Sequence, residues 1–273
     1  MKKPSSTFIS IFLTFLAKQL SYNRSFLLWP LNQILIRYFI YKFKVDLSEA
    51  LIETPLAYRC FNDFFTRKLK PHARPLVKKI GSLHAPCDGI LIEHGALTQG
   101  KLIQAKGLDY SVNSLIHSEE HQFAYFYTFY LSPRHYHRAH APLEAKILNL
   151  RYLSGLTRSV SMRHVSSIPN LYVENERLVL QFDGYGYGSY AIVMVGAQNV
   201  ASISTPWYGV CSGHLTSKEL FSIDPVFGVA AGEEIANFNM GSTIVLLLEK
   251  IPHQQLVSKN QEIKLHQTIA EFN

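Results

Sequence analysis

The chain has 273 residues, of which 47% are hydrophobic and 17% charged. That composition excludes a disordered protein and is enough for a substantial core. Its three cysteines, Cys60, Cys87 and Cys211, are odd in number and far apart, so they form neither a disulfide framework nor a zinc-ribbon spacing, and a reducing compartment is expected. The net charge of +7 is unevenly spread: residues 1–80 carry 14 Lys and Arg against 4 Asp and Glu, and the remainder 13 against 16. A basic arm therefore precedes a mildly acidic body, which points to an anionic partner, nucleic acid or membrane.

The first 70 residues read as helical. Residues 8–17 (FISIFLTFLA) form an apolar run about 15 Å long as a helix, half of the ~30 Å hydrocarbon core of a bilayer, and so too short to span it. A signal peptide competes for Lys2, Lys3 and this run, but Lys18 and Gln19 interrupt any small-residue cleavage site. Residues 26–41 mix Leu28, Trp29, Leu31, Ile34, Leu35 and Phe39 with Asn32, Gln33 and Arg37, a pattern that suits a helix lying in a membrane interface. This much aliphatic surface favours a membrane over nucleic acid; ordinary core helices are the plain alternative. Asp46 and Ser48 stand as caps before Leu51 and Ile52.

After Pro71 and Pro75 the texture changes to short β-rich runs at 90–93, 123–131, 145–152, 177–182, 190–195 and 243–249, separated by Gly, Pro, Asn and Ser. The expected architecture is α+β: a helical basic region over 1–70, then a mainly antiparallel β domain over 71–273.

Three constellations carry chemistry. His135, His137 and His140 lie in LSPRHYHRAHAP, bracketed by Pro133 and Pro142 after a strand; they suit a metal, a catalytic loop or merely a solvated one. Asp88-Gly89 before a strand is either a turn or an aspartate that orients a histidine. Gly241-Ser242 opens a buried strand, a commonplace position, yet a Gly carbonyl is sterically open to attack by the next hydroxyl.

Together and in this order these segments resemble the phosphatidylserine decarboxylase family. FNDFFTRKLKPHARPL (61–76), APCDG (85–89), QAKGLDYSVNSLI (104–116), YLSPRHYHRAHAP (130–142) and MGST (240–243) resemble its motifs. Pro169-Asn170-Leu171, Asn175-Glu176-Arg177 and Val195-Gly196-Ala197 continue the match. His135 stands where an acidic residue is common, and Ser161 where Asn often follows Ser-Val. The resemblance implies self-cleavage between Gly241 and Ser242 into chains 1–241 and 242–273, with Ser242 becoming a covalent pyruvoyl cofactor. It implies His140 as base for Ser242, Asp88 as the group that orients His140, and His137 as the residue for turnover. Phosphatidylserine would then lose CO₂ through a Schiff base to give phosphatidylethanolamine. The implied partners are that lipid, an anionic membrane surface, the second cleavage chain and, as an open possibility, a higher oligomer, with no nucleic acid and no metal. The implied place is the cytoplasmic face of the cell (inner) membrane, held peripherally. The rival readings are a metal-dependent hydrolase using His135, His137 and His140, and a maturation-deficient membrane-binding scaffold.

Overall fold

The computed structural model describes residues 22–105, 108–119, 122–197, 202–211, 220–223, 227–239 and 242–273. The expectations for Lys2, Lys3, Lys18 and the run 8–17, like that for Gly241, lie outside the described residues.

The architecture is α+β, with a short helical N-terminal region and antiparallel sheets. Helix Trp29–Phe43 carries Pro30 in its first turn, where a missing N–H costs nothing, and ends in left-handed Lys44 (φ 53°), whose N–H returns to the Ile40 carbonyl. Its inward face is unusual: Asn32 and Gln33 are buried beside Ile36. Both polar side chains have backbone partners, Gln33 donating to Tyr58 O (2.9 Å) and Asn32 accepting from Phe61 N (3.0 Å). These bonds tie the helix to the short helix Phe61–Phe65. Aromatic rings seal the joint, with Phe39 lying 5.0 Å from Phe61 and 5.9 Å from Phe64. The predicted cap at Asp46 holds a turn instead of a helix: Asp46 accepts from Ser48 N (2.8 Å), and Ala50 then bridges to Leu69. The chain leaves helical geometry there because that antiparallel bridge competes for its backbone.

All six strand expectations are met, at Gly89–Ala96, Tyr125–Leu131, Ala145–Leu153, Arg177–Asp183, Ser189–Gly196 and Ser242–Leu248. They form the body of a nine-stranded antiparallel sheet. Ser242–Leu248 is central, paired along its whole length with Tyr125–Leu131 on one side and Ser189–Gly196 on the other. Its continuous apolar run is explained by burial on both faces. Ile244, Leu246 and Leu248 enter a core shared with Ile203, Ile235 and Phe238, whereas Val245 and Leu247 enter a second core with Leu115, Leu171 and Tyr172. The first core lies between this sheet and two smaller ones. One of these contains Arg138–His140, Glu234–Phe238 and Ile203–Thr205, and the other Ser82–His84 and Thr268–Glu271. The helical region has its own cluster of Ile36, Val45, Tyr58, Phe61, Phe64 and Phe65.

Candidate active site

The strand register brings the Gly-Ser motif to the histidine loop. Ser242 pairs with Leu131 on one side and with Gly196 on the other. Leu131 is the last residue of its strand, and the loop bearing His135 and His137 follows it. That loop returns to the smaller sheet at Arg138, which pairs with Asn237, while Phe238 N donates to His137 O at 2.9 Å. The chain thus passes between the same two sheets twice, through residues 132–137 and again between Phe238 and Ser242. Four residues from Phe238 to Ser242 span at most about 14 Å, so the backbone of Ser242 lies no farther than that from Phe238.

The three histidines do not converge. His135 is buried, accepts at Nδ1 from Ser132 N (3.0 Å) and turns Nε2 to Glu262 at 3.4 Å. Its imidazole thus acts as an acceptor for a turn N–H, a part a carboxylate can equally play. His137 is fully buried, with Nδ1 at 2.8 Å from the His135 carbonyl and the Phe65 ring 4.0 Å away. A carbonyl only accepts, so Nδ1 carries the hydrogen and Nε2 bears the lone pair. That Nε2 has no partner among the described residues. Burial, with the Arg67 charge nearby, pushes this imidazole well below its ordinary pKa. His140, at the end of strand Arg138–His140, gives Nδ1–H to Gly232 O at 2.8 Å and presents Nε2 to the Tyr136 hydroxyl at 3.2 Å. Burial lowers its pKa to about 4. Both motif histidines are neutral at pH 7 with the lone pair on Nε2, which has no described partner in His137 and meets the Tyr136 hydroxyl in His140. Among the described residues no group of three or more His, Cys, Asp or Glu is arranged to hold a metal.

Asp88 does not reach His140. Its carboxylate is clamped by Arg74, Nε to Oδ1 at 2.9 Å and Nη2 to Oδ2 at 2.7 Å, and also accepts from Leu265 N at 2.7 Å. The expected orienting of His140 by Asp88 is done by the Gly232 carbonyl, because the bidentate guanidinium occupies the carboxylate. Asp88 acts on His140 at one remove. It fixes Leu265, and the next residue, His266, gives Nδ1 to Arg74 O (2.8 Å) and sets its ring edge-on to His140, 5.3 Å between centroids. Gly232 is required here: its φ is +80°, and a Cβ would meet Leu76 at 2.9 Å and His266 Nε2 at 3.1 Å.

Sequence reasoning named Asp88, His137, His140 and Ser242 but missed Arg67, Arg74, Tyr136, Gly232 and His266. Arg67 and Arg74 stand inside the FNDFFTRKLKPHARPL segment; Gly232 and His266 carry no local signal. Ser161, the second departure, has its Oγ 2.8 Å from His164 Nδ1 at the start of the short helix Met162–Val165.

The site joins a central strand that starts at Ser242 to a loop and strand that carry buried, neutral histidines, which is the arrangement of an enzyme. A sequence profile described as phosphatidylserine decarboxylase matches residues 61–271. Proteins named phosphatidylserine decarboxylase proenzyme are similar over most of the chain. That of Legionella pneumophila (strain Lens) is 40% identical over 88% of this chain and 87% of its own. Those of Bordetella avium and Idiomarina loihiensis are each 38% identical, over 80% and 85% of this chain and 76% and 82% of theirs. The chain belongs to the phosphatidylserine decarboxylase family and is a carboxy-lyase.

Proposed function

We propose that the chain cleaves itself between Gly241 and Ser242, converts Ser242 into a pyruvoyl group and decarboxylates phosphatidylserine to phosphatidylethanolamine. The observation that carries this reading is the position of Ser242, first residue of a strand paired on both sides, opposite Leu131, from which the loop of the neutral imidazole His137 departs.

Ser242 Oγ attacks the Gly241 carbonyl and passes its proton to His140 Nε2. The amide C–N bond breaks as the ester C–O bond forms. Loss of the Ser242 Cα proton then expels the Gly241 carboxylate, and water replaces the freed nitrogen, releasing ammonia and leaving a ketone. Gly232 O holds the His140 tautomer for this step, and Asp88 is a positioning residue acting through Arg74 and Leu265. The residues present suit the ketone. Chain 242–273 stays clamped by strand 242–248, and His137 Nε2 is a buried polar atom with no described partner. The pyruvoyl carbonyl supplies an acceptor for the substrate amine and for the electron pair released with CO₂. His137 moves the proton at the substrate carbon through Nε2.

The two chains stay together without the bond. Besides the central strand, the 242–273 piece supplies Thr268–Glu271 and Gln254–Gln255 to the sheet that contains Ser82–His84. An anionic membrane is the second partner. Leu31, Ile34, Tyr38 and Tyr41 lie at helical spacing and all point outward, between 51% and 84% exposed, beside exposed Arg37 and Lys42. No described helix is long and apolar enough to cross a bilayer. Peripheral attachment at the cytoplasmic face of the cell membrane follows from this reading.

Intact-mass measurement tests it. The purified protein yields two chains, the smaller with 273 − 241 = 32 residues and a blocked N-terminus. Ser242→Ala stays whole and inactive; cutting at the same bond in that variant would sink the mechanism. His140→Ala accumulates uncut precursor, whereas His137→Ala is cut but loses CO₂ release by about 10²–10⁴-fold. The reverse pattern exchanges the two roles.

A further inference from the structure

Two arginines of this chain are equally buried, each 5% exposed, and differently satisfied. Arg177 spends all three nitrogens on carbonyls: Nε on Leu115 (2.6 Å), Nη1 on Val173 (2.6 Å) and Asn175 (3.1 Å), and Nη2 on Ser114 (2.9 Å). It is a structural clamp. Arg67 donates only from Nη2, to the carbonyls of Arg134 (2.8 Å) and His135 (3.2 Å). Its Nε and Nη1 have no partner among the described residues, and no described carboxylate lies within ion-pair distance. A buried cation left with two free donors is costly unless an anion completes it.

The surroundings say which anion. Arg67 lines an open cleft of ≈ 600 Å³ with Asn62, Asn239, Arg59 and Lys68. Asn239 is three residues before Ser242 in the chain. The other cations of the cleft, Arg24 and Arg138, are committed to Asp63 and Glu234, whereas Arg59, Arg67 and Lys68 make no ion pair with a described carboxylate. Arg67 also binds the two carbonyls immediately before Tyr136 and His137, so an anion on its free donors is held against the histidine loop. In the same cleft, exposed Leu51 and Ile52 offer apolar surface, Leu51 N donating to Lys68 O at 2.8 Å. Unpaired cationic donors and exposed apolar side chains lining one cleft suit a phospholipid headgroup entering from a membrane.

We propose that Arg67 is a substrate-binding residue whose Nε and Nη1 take the anionic oxygens of the lipid headgroup, with Arg59 and Lys68 adding charge at the cleft wall. The identity of the ligand rests on the decarboxylase reading above. Two headgroup anions share this chemistry, the phosphodiester and the serine carboxylate, and planar Arg accepts either in bidentate fashion.

The test uses the full chain with Ser242→Ala, so that cutting plays no part, and measures equilibrium binding of glycerophosphoserine and glycerophosphoethanolamine by calorimetry. Adding Arg67→Gln weakens glycerophosphoserine at least tenfold, the scale of a lost charge-assisted hydrogen bond, and flattens the salt dependence of Kd. If glycerophosphoethanolamine is weakened equally, Arg67 holds the phosphodiester; if it is unaffected, Arg67 holds the carboxylate. A purely structural role would lower the melting temperature and leave the salt dependence and ligand ranking alone. Should Arg67→Gln fail to fold, Arg67→Lys, which keeps charge but not the fork, and exposed Arg59→Gln serve instead, each expected to weaken binding a few-fold. Glycerophosphoserine binding within twofold of the parent in the folded variants, or no binding to the parent, overturns the proposal. Failure of the decarboxylase reading would show elsewhere, as an uncut wild-type chain that releases no CO₂.

Discussion

The strand Ser242–Leu248 and the helix Trp29–Phe43 are both rich in apolar residues, and they dispose of them in opposite ways. The strand buries both faces between two cores, so its run of Ile244 to Leu248 needs no polar alternation. The helix keeps polar Asn32 and Gln33 inside, where their amide N–H groups bond backbone carbonyls, and turns Leu31, Ile34, Tyr38 and Tyr41 outward. In the strand, hydrophobicity is consumed by folding and yields a frame paired on both sides, at whose start the proposed cleavage lies. In the helix it is left over, and a surface that folding has not consumed is free to meet a lipid.

The comparison breaks most visibly at the strand. Leu246→Ala removes a fully buried side chain from the first core and is expected to cost about 2–5 kcal/mol, read as a lower urea midpoint. A loss under about 1 kcal/mol would mean that the strand is no clamp.

Acid tests the same frame from the histidine side. His140 has its folded pKa lowered to about 4 from 6.5, so the unfolded chain binds the extra proton first. Its contribution is whole above pH 6.5 and is lost as the pH falls from 6.5 toward 4, by up to about 3 kcal/mol. His137, also shifted down by burial, adds in the same direction. Urea midpoints against pH should show this limb, and His140→Asn should shallow it; an unchanged limb would show that His140 titrates normally.

The helix gives the smallest effect on stability and the clearest on binding. Ile34→Ser with Tyr38→Ser should leave the melting free energy within about 0.5 kcal/mol, as for other exposed positions. Co-sedimentation with anionic vesicles should fall, and rising salt should lower it further through screening of Arg37 and Lys42. Destabilisation beyond about 2 kcal/mol would show that the stripe packs within the protein.

The sequence by itself determined the α+β class, the six main strands, the helix after Leu28 and the collinear motifs that mark the family. These are local properties: a run of β-branched and aromatic residues between turn residues, or apolar spacing of three and four, is decided by near neighbours. The candidate site residues Asp88, His137, His140 and Ser242 were named from the same kind of local motif. Tertiary structure alone decided their partners. Asp88 meets Leu265, 177 residues away, and His140 meets Gly232, 92 residues away. No window on the sequence holds both ends of such a bond, so the Asp88–His140 pair was a fair expectation and the bidentate Arg74 displaced it. Asp46 and Ser48 read as a helix cap and became a turn, because the bridge from Ala50 to Leu69 claimed the backbone. Arg67 and Arg177 look alike in sequence and in burial. Only the placement of carbonyls around each guanidinium made one a clamp and left the other with two donors to give, because a hydrogen bond depends on distance and angle between groups that the chain brings together only when it folds.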